Sequence, residues 1–258
     1  MDNKVCVVTG SSSGIGAATA RLFAERGWHV VINYSREAAP AQAVAAECQA
    51  LGQAAGAQVL VLQANVAEDA DCRRLAAAVD ARWGRCDVLV NNAGTTKFVA
   101  PGNLAGLEAE DFQRIYGVNV VGAFQMVRAL EPLLRRHPPG AVVNMSSIAS
   151  LTGMGSSVAY AASKGALNAM TLSLARALGP QIRLNAIAPG LVDTPWLKNG
   201  MGAERYAAGV SAYKARAALA EIITPEDVAR AAWYLGVDAV KTTGEVLPVD
   251  AGARMIPL

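Results

Sequence analysis

Val5-Cys6-Val7-Val8 runs directly into Thr9-Gly10-Ser11-Ser12-Ser13-Gly14-Ile15-Gly16, after which an alanine-rich stretch begins. A β-branched run, a glycine loop and a helix-forming segment, in that order, make a strand–turn–helix unit. Glycines let the backbone turn tightly and approach a pyrophosphate. The helix that follows presents free N–H groups and the positive end of its dipole. The spacing Gly-x-x-x-Gly-x-Gly is one residue longer at its first gap than the common dinucleotide fingerprint. On these residues alone, a plain glycine-rich turn before a helix reads equally well. The loop also fits the Gly-x-Ser-x-Gly nucleophile elbow, with Ser12 as nucleophile. That reading needs an acid and then a histidine downstream, but only His29 and His137 follow. A hydrolase is therefore disfavoured.

Outward from the loop, further apolar β-branched runs occur at residues 30–32, 59–62, 88–90, 141–144, 182–186 and 245–249. They are continuous rather than alternating, as expected for strands buried on both faces. Between them lie helix-forming stretches at 15–26, 38–51, 69–83 and 112–133. Thr224 followed by Pro225 reads as an N-cap and first helical position. Strands alternating with helices imply a parallel sheet covered on both faces by right-handed crossovers. No linker, charge run or repeat divides the chain. The expectation is one α/β domain over residues 1–258, with a doubly wound sheet.

The chain has 258 residues, with 23 basic against 21 acidic side chains and a net charge of +2. That balance argues against a nucleic-acid partner, whose phosphates demand clustered basic charge. No stretch approaches the roughly 18 apolar residues of a membrane span, and the apolar run Val5–Val8 is too short for a signal-peptide core. The four cysteines (Cys6, Cys48, Cys72, Cys86) show no Cys-x-x-Cys spacing and no nearby histidine. Neither a metal site nor a disulfide framework is expected. A soluble, cytoplasmic protein in a reducing compartment is.

Four later features strengthen the dinucleotide reading. Asn91-Asn92-Ala93-Gly94 ends a strand, where open α/β sheets place ligands, although an ordinary tight turn has the same composition. Asn119 falls in the helical stretch 112–133. Ser146 and Ser147 follow the strand at 141–144. Tyr160 and Lys164, four apart, share one helix face.

Taken in order, the loop at 9–16, Asn91 to Gly94, Asn119, Ser147, Tyr160, Lys164, Asn185, Pro189-Gly190 and Thr194 resemble the short-chain dehydrogenase/reductase family over the whole chain. Ser147 is chosen over Ser146 because it lies 13 residues before Tyr160, as in that family's active site. The resemblance implies a seven-stranded Rossmann sheet, a nicotinamide cofactor, a small carbonyl or alcohol substrate and a homotetramer. It implies a catalytic set of Ser147, Tyr160, Lys164 and Asn119. Lys164 would draw the Tyr160 ionisation down from its ordinary value of about 10, and Tyr160 would exchange the proton. Ser147 would orient the carbonyl, and Asn119 would hold a water. Cofactor contacts are implied at Gly10, Ser12, Ser13, Gly14, Ile15 and Gly16. More are implied at Asn33, Tyr34, Ser35 and Arg36, and at Asn65 and Val66. The remainder fall at Asn92, Ala93 and Gly94, at Tyr160 and Lys164, and at Pro189, Gly190, Val192 and Thr194.

Two departures matter. Asn65-Val66 replaces the family's Asp-Val, and its side-chain oxygen can still accept from adenine. At the second strand end, Asn33-Tyr34-Ser35-Arg36 lacks the carboxylate that NAD-preferring relatives place on the ribose. NADP(H) is therefore expected as the preferred cofactor, with NAD(H) also used. Residues 191–220 read as a mobile substrate lid whose Trp196 and Met201 await an occupied site for burial. Otherwise specificity would come from Thr95, Phe98, Ile148 and Met154. The nearest well-known subgroup is the 3-oxoacyl-(acyl-carrier-protein) reductases. Pro138-Pro139 and Pro180-Gln181 stand where its members carry arginines, although Arg135 and Arg136 are close. A free carbonyl or alcohol is preferred over that alternative. A dinucleotide-binding regulator without turnover is disfavoured by the intact Ser147, Tyr160, Lys164 set.

Overall fold

The computed structural model describes residues 3–255, so the first two and last three residues of the expected domain lie outside the described residues. Each β-branched run forms a strand: β1 (Val5–Val8), β2 (His29–Tyr34), β3 (Val59–Gln63), β4 (Val88–Asn91), β5 (Gly140–Met145), β6 (Ile182–Pro189) and β7 (Val246–Val249). They pair in the order β3-β2-β1-β4-β5-β6-β7, every pair parallel. Side chains alternate across a strand, and here both faces are apolar. Cys6, Val8, Val30, Ile32, Val88 and Val90 pack with Phe23, Val44 and Val228 from α1 (Gly14–Glu25), α2 (Ala38–Gly52) and α10 (Pro225–Trp233). Val7, Val31, Leu89 and Val142 pack on the opposite face with Leu75 and Leu130 from α3 (Asp69–Trp83) and α5 (Ala123–Leu134). Two buried faces are why the strands read as unbroken apolar runs. Thr224 caps α10 as expected, exchanging bonds with Asp227.

The stretch 112–133 is not one helix. It divides into α4 (Ala109–Tyr116), a π-helical turn (Gly117–Gly122) and α5. The cause is local packing. At Gly122 a Cβ would lie 2.8 Å from Val66 Cγ2 and 3.0 Å from its carbonyl oxygen, so the helix passes close against the strand end. Asn119 is turned inward, accepting from the Thr95 N–H at 2.8 Å and donating to the Thr95 carbonyl and to Ser163 Oγ at 3.0 Å each. Such π turns favour functional sites because the extra residue re-aims its neighbours.

The remaining helices are α6 (Ala149–Thr152), α7 (Val158–Leu178), α8 (Pro195–Met201) and α9 (Ala203–Arg216). Strand order reverses between β1 and β4, and the loops leaving these strands meet over the sheet edge. Asn92 Nδ2 donates to the carbonyls of Thr9 and Gly10 at 3.0 and 2.9 Å. Gly16 faces that amide, and a Cβ there would sit 2.5 Å from Nδ2 and 2.6 Å from Gly10 O. Gly16→Ala should therefore lower stability by about 1–3 kcal/mol through overpacking, read as a shift of the urea midpoint. An unchanged midpoint would show that the loop contact yields without cost.

Candidate active site

A cavity of about 830 Å³ follows the reversal point, running from the glycine loop past the strand ends to Tyr160 and Trp196. Most of the expected cofactor residues line it: Gly10, Ser13, Gly14, Ile15, Asn33, Ser35, Arg36, Asn65, Val66, Asn92, Ala93, Gly94, Pro189, Gly190, Val192 and Thr194. Ser12, Gly16 and Tyr34 do not. Gly16 is packed beneath Asn92, and Tyr34 lies against the core.

Several lining residues are braces rather than free contacts. Gly10, at φ +60°, donates its N–H to Asn33 Oδ1 at 3.0 Å. Asn33 Nδ2 donates to the carbonyls of Leu62 and Ala64. Its side chain thus ties the glycine loop to β3. Asn65 Oδ1 accepts from the Ala67 N–H at 3.2 Å, which engages the oxygen expected to meet adenine. Ser13 stands at the N-cap of α1 without a side-chain capping bond. The first turn of α1 therefore has no side-chain acceptor of its own, a property of anion-binding helix starts. Arg36 is exposed and, among the described residues, pairs with no carboxylate.

At the far end, Ser147, Tyr160 and Lys164 line the same cavity. Ser157 caps α7 by accepting from the Tyr160 N–H, which fixes where that helix begins. Lys164, one turn on, is buried and donates from Nζ to the Met145 carbonyl at 2.7 Å, with its charge 5.5 Å from the Tyr160 ring centre. Behind Ser147 lies a chain of bonds. Ser150 Oγ donates to the Ser147 carbonyl at 2.6 Å, Asn168 Nδ2 donates to Ser150 Oγ at 2.8 Å, and Ser146 Oγ donates to Asn168 Oδ1 at 2.6 Å. Both serines line the cavity, and Ser146 also braces the strand end through its bond to Asn168.

The electrostatics correct one expectation. Burial pushes the Tyr160 phenol up to about 12, and a hydrogen bond with Ser147 only partly offsets that. Burial also brings the Lys164 ammonium down to about 8. Lys164 is not among the influences that shift the phenol, and its Nζ donates to the Met145 carbonyl. Asn119 is buried, adjoins Gly94 on the same side as Lys164, and commits its whole side chain to Thr95 and Ser163.

Comparison with known proteins agrees with this geometry. A family model described as enoyl-(acyl carrier protein) reductase matches residues 10–254. A Streptomyces violaceoruber protein named as ketoacyl reductase 2 of the granaticin polyketide synthase is 42% identical, over 98% of this chain and 96% of its own. The 3beta-hydroxysteroid dehydrogenase 1 of Eggerthella lenta is 36% identical, over 100% and 96%. A solved short-chain dehydrogenase/reductase structure from Burkholderia xenovorans superposes with TM-score 0.88 at 42% identity, covering 99% of both chains. The chain belongs to the short-chain dehydrogenase/reductase family. It is a nicotinamide-dependent oxidoreductase acting between carbonyls and alcohols.

As a member of that family, it carries several cavity residues that no motif marked: Ala64, Ala67, Gln113, Arg114 and Val118. Arg114 reaches Thr95 Oγ1 at 3.3 Å. Only a contact across the fold places it there, since α4 presents several equally polar positions. Residues 191–220 are also more ordered than a loop. They form α8 and α9, with Asp193 accepting from Tyr206 Oη at 2.7 Å and pairing with Lys198 at 2.6 Å. Trp196 already has partners, Phe98 and Tyr160, at ring separations of 5.6 and 6.3 Å. Met201 lies against Gly209.

Proposed function

We propose that the chain reduces a free ketone to a secondary alcohol, and runs the reverse reaction, with NADP(H) preferred. The observation that carries this reading is the convergence of Ser147, Tyr160 and Lys164 at the end of a cavity that begins on the glycine loop. The residues present fit a nicotinamide dinucleotide. Gly10 and Gly14, both at positive φ, line the cavity, the first turn of α1 lacks a side-chain acceptor, and Ser35 and Arg36 edge the cavity. When bound, the cofactor supplies or takes the hydride.

The protein's part is position and the proton. Ser147 Oγ holds the carbonyl oxygen, and Tyr160 Oη gives it a proton as charge develops there. A phenol raised by burial keeps that proton at neutral pH, which favours the reductive direction. Oxidation needs the phenolate, and so should accelerate as pH rises toward the Tyr160 value. Lys164 flanks Gly94, where it would meet the ribose of the cofactor, and Asn119 on the same side would hold a water that links Lys164 to solvent. Arg135 and Arg136 argue against an acyl-carrier partner, since each is held internally: Arg135 by Glu131 and Gln181, Arg136 by Asp80 and the Gly84 carbonyl. α8 and α9 would act as a lid over the substrate end. The buried free thiols of Cys6, Cys48, Cys72 and Cys86 suit a reducing, cytoplasmic setting. Among the described residues, no helix is long and apolar enough to cross a membrane.

Purified protein should oxidise NADPH in the presence of ketones, and Tyr160→Phe should lower kcat by about 10²–10⁴-fold while cofactor binding, read by fluorescence, persists. Oxidation of the alcohol should rise with pH where reduction stays level. Retention of most turnover in Tyr160→Phe, or oxidation that plateaus near neutrality, would remove the phenol from this role. Cofactor choice rests on Arg36, which would pair with a 2′-phosphate. Arg36→Ala should reduce kcat/KM for NADPH about tenfold or more and leave that for NADH nearly unchanged; equal losses would count against the assignment. Phe112, Val121, Phe124, Val158 and Leu172 are exposed apolar residues on α4, the π turn, α5 and α7. Such a surface suits subunit contact, and sedimentation should give four times the 26.7 kDa chain mass. A monomer at micromolar concentration would contradict it.

A further inference from the structure

Two segments meet beside the reacting phenol: residues 95–98, which follow β4, and residues 194–198, which open α8. Thr95, Thr194, Trp196 and Leu197 line the cavity directly. Every polar side chain on these segments is already engaged. Thr95 Oγ1 accepts from Arg114 at 3.3 Å, the hydroxyls of Thr96 and Ser156 bond at 2.7 Å, and Lys97 pairs with Asp111 at 2.7 Å. Thr194 Oγ1 accepts from the Leu197 N–H, and Lys198 pairs with Asp193. What the two segments leave for a ligand is apolar and aromatic surface.

That surface centres on Trp196. Its ring lies 6.3 Å from the Tyr160 ring and 5.6 Å from the Phe98 ring, tilted by 41° and 51°. Separations of about 4.5–7 Å are those of rings in contact. The three rings therefore form one connected group, with no room for another ring between them. Trp196 is nevertheless 44% exposed while it lines the cavity. A broad part of the indole thus stays open next to the phenol.

The group is held from behind. The Val99 N–H donates to the Ser156 carbonyl at 2.8 Å, and the Thr96–Ser156 bond adds a second tie. Together they fix the loop that bears Phe98 to the segment before α7. Phe98 in turn fills the place of a side chain at position 200, where a Cβ would collide with its ring. Helix α8 is seated on Phe98 at Gly200, and its first turn carries Trp196 to Tyr160. A flat surface fixed in this way costs little ordering when a ligand settles on it.

We propose that Trp196 is the specificity-determining residue of the carbonyl site and that its indole selects ketones with a planar aryl group next to the carbonyl. The inference rests on the carbonyl-reductase reading and adds a substrate class. A flat ring covers the indole more completely than a puckered one and adds offset or edge-to-face attraction between the rings. A polyhydroxylated substrate would find the hydroxyl and ammonium partners of both segments already taken.

The test compares kcat/KM for 2-acetonaphthone with that for cyclohexyl methyl ketone, as a ratio, in the wild-type protein and in variants. Comparing ratios cancels the different intrinsic reactivity of conjugated and saturated ketones. Trp196→Leu should lower the ratio about three- to tenfold, through a higher KM for the aryl ketone, and Trp196→Phe should keep most of it. A ratio unchanged in Trp196→Leu, or as low in Trp196→Phe, would overturn the assignment. So would a greater kcat/KM for an aldohexose than for 1-(2-naphthyl)ethanol in the oxidative direction. NADPH binding weakened in Trp196→Leu with the ratio intact would place the indole against the nicotinamide instead, and also overturn it. Calorimetry with 2-naphthol, which has no carbonyl, separates this from failure of the reductase reading. Binding that weakens about three- to tenfold in Trp196→Leu supports the aryl site even if no ketone is turned over. Absence of 2-naphthol binding to the wild-type protein overturns it even if ketones are reduced.

Discussion

The hydrogen bonds between the loop after β1 and the loop after β4 are the contact on which the rest of the site depends. Strand order reverses between these two strands, so their helices leave toward opposite faces and a crevice opens. Thr9 Oγ1 accepts the N–H groups of Asn92 and Ala93, and the Asn92 amide reaches back to two carbonyls of the glycine loop. These bonds hold the start of α1 beside the end of β4. They also explain Gly10 and Gly16, whose missing side chains leave room for Ala93 and Asn92. The crevice floor is thus built from polar groups that satisfy one another, and the ligand end of the cavity begins where they stop.

At the other end, burial sets the chemistry. It drives the Tyr160 phenol and the Lys164 ammonium toward their neutral forms, one up and the other down. Two buried groups pushed in opposite directions leave the pair with a proton on the phenol, which is the form a carbonyl reduction consumes. Ser147 moderates this by hydrogen bonding, and its own backbone is pinned by Ser150 and Asn168. The position of Ser147 beside the phenol is therefore fixed by a polar chain that lies behind it.

The five central strands were legible because both sides of each are buried, which writes an unbroken apolar run, while the edge strands β3 and β7 are half-buried yet keep the same apolar character. The glycine loop, Tyr160 and Lys164 were legible because their spacing is local: one turn of loop, one turn of helix. What depends on approach from a distant element was not. The interruption of residues 112–133 comes from Gly122 passing over Val66 and from Asn119 reaching Thr95. Asn33 lines the cavity, but that its amide also joins the loop after β1 to the end of β3 was not legible. The burial that raises the Tyr160 phenol likewise comes from distant packing that spacing does not display.

The helices α8 and α9 are held differently from the elements that carry Ser147, Tyr160 and Lys164. Neither α8 nor α9 contains a fully buried residue, so few core contacts hold these helices in place, and segments of this kind open at low free energy. Yet they are tied to one another: Asp193 clasps Lys198 of α8 and Tyr206 of α9. The pair is braced internally, and α9 is also tied to the turn after β7 by the Tyr213 bond to the Asp250 carbonyl. α8 carries Trp196 to the cavity. Changes along α8 can therefore reshape that end of the cavity at little cost to the core, while Ser147, Tyr160 and Lys164 remain fixed on the sheet edge and α7.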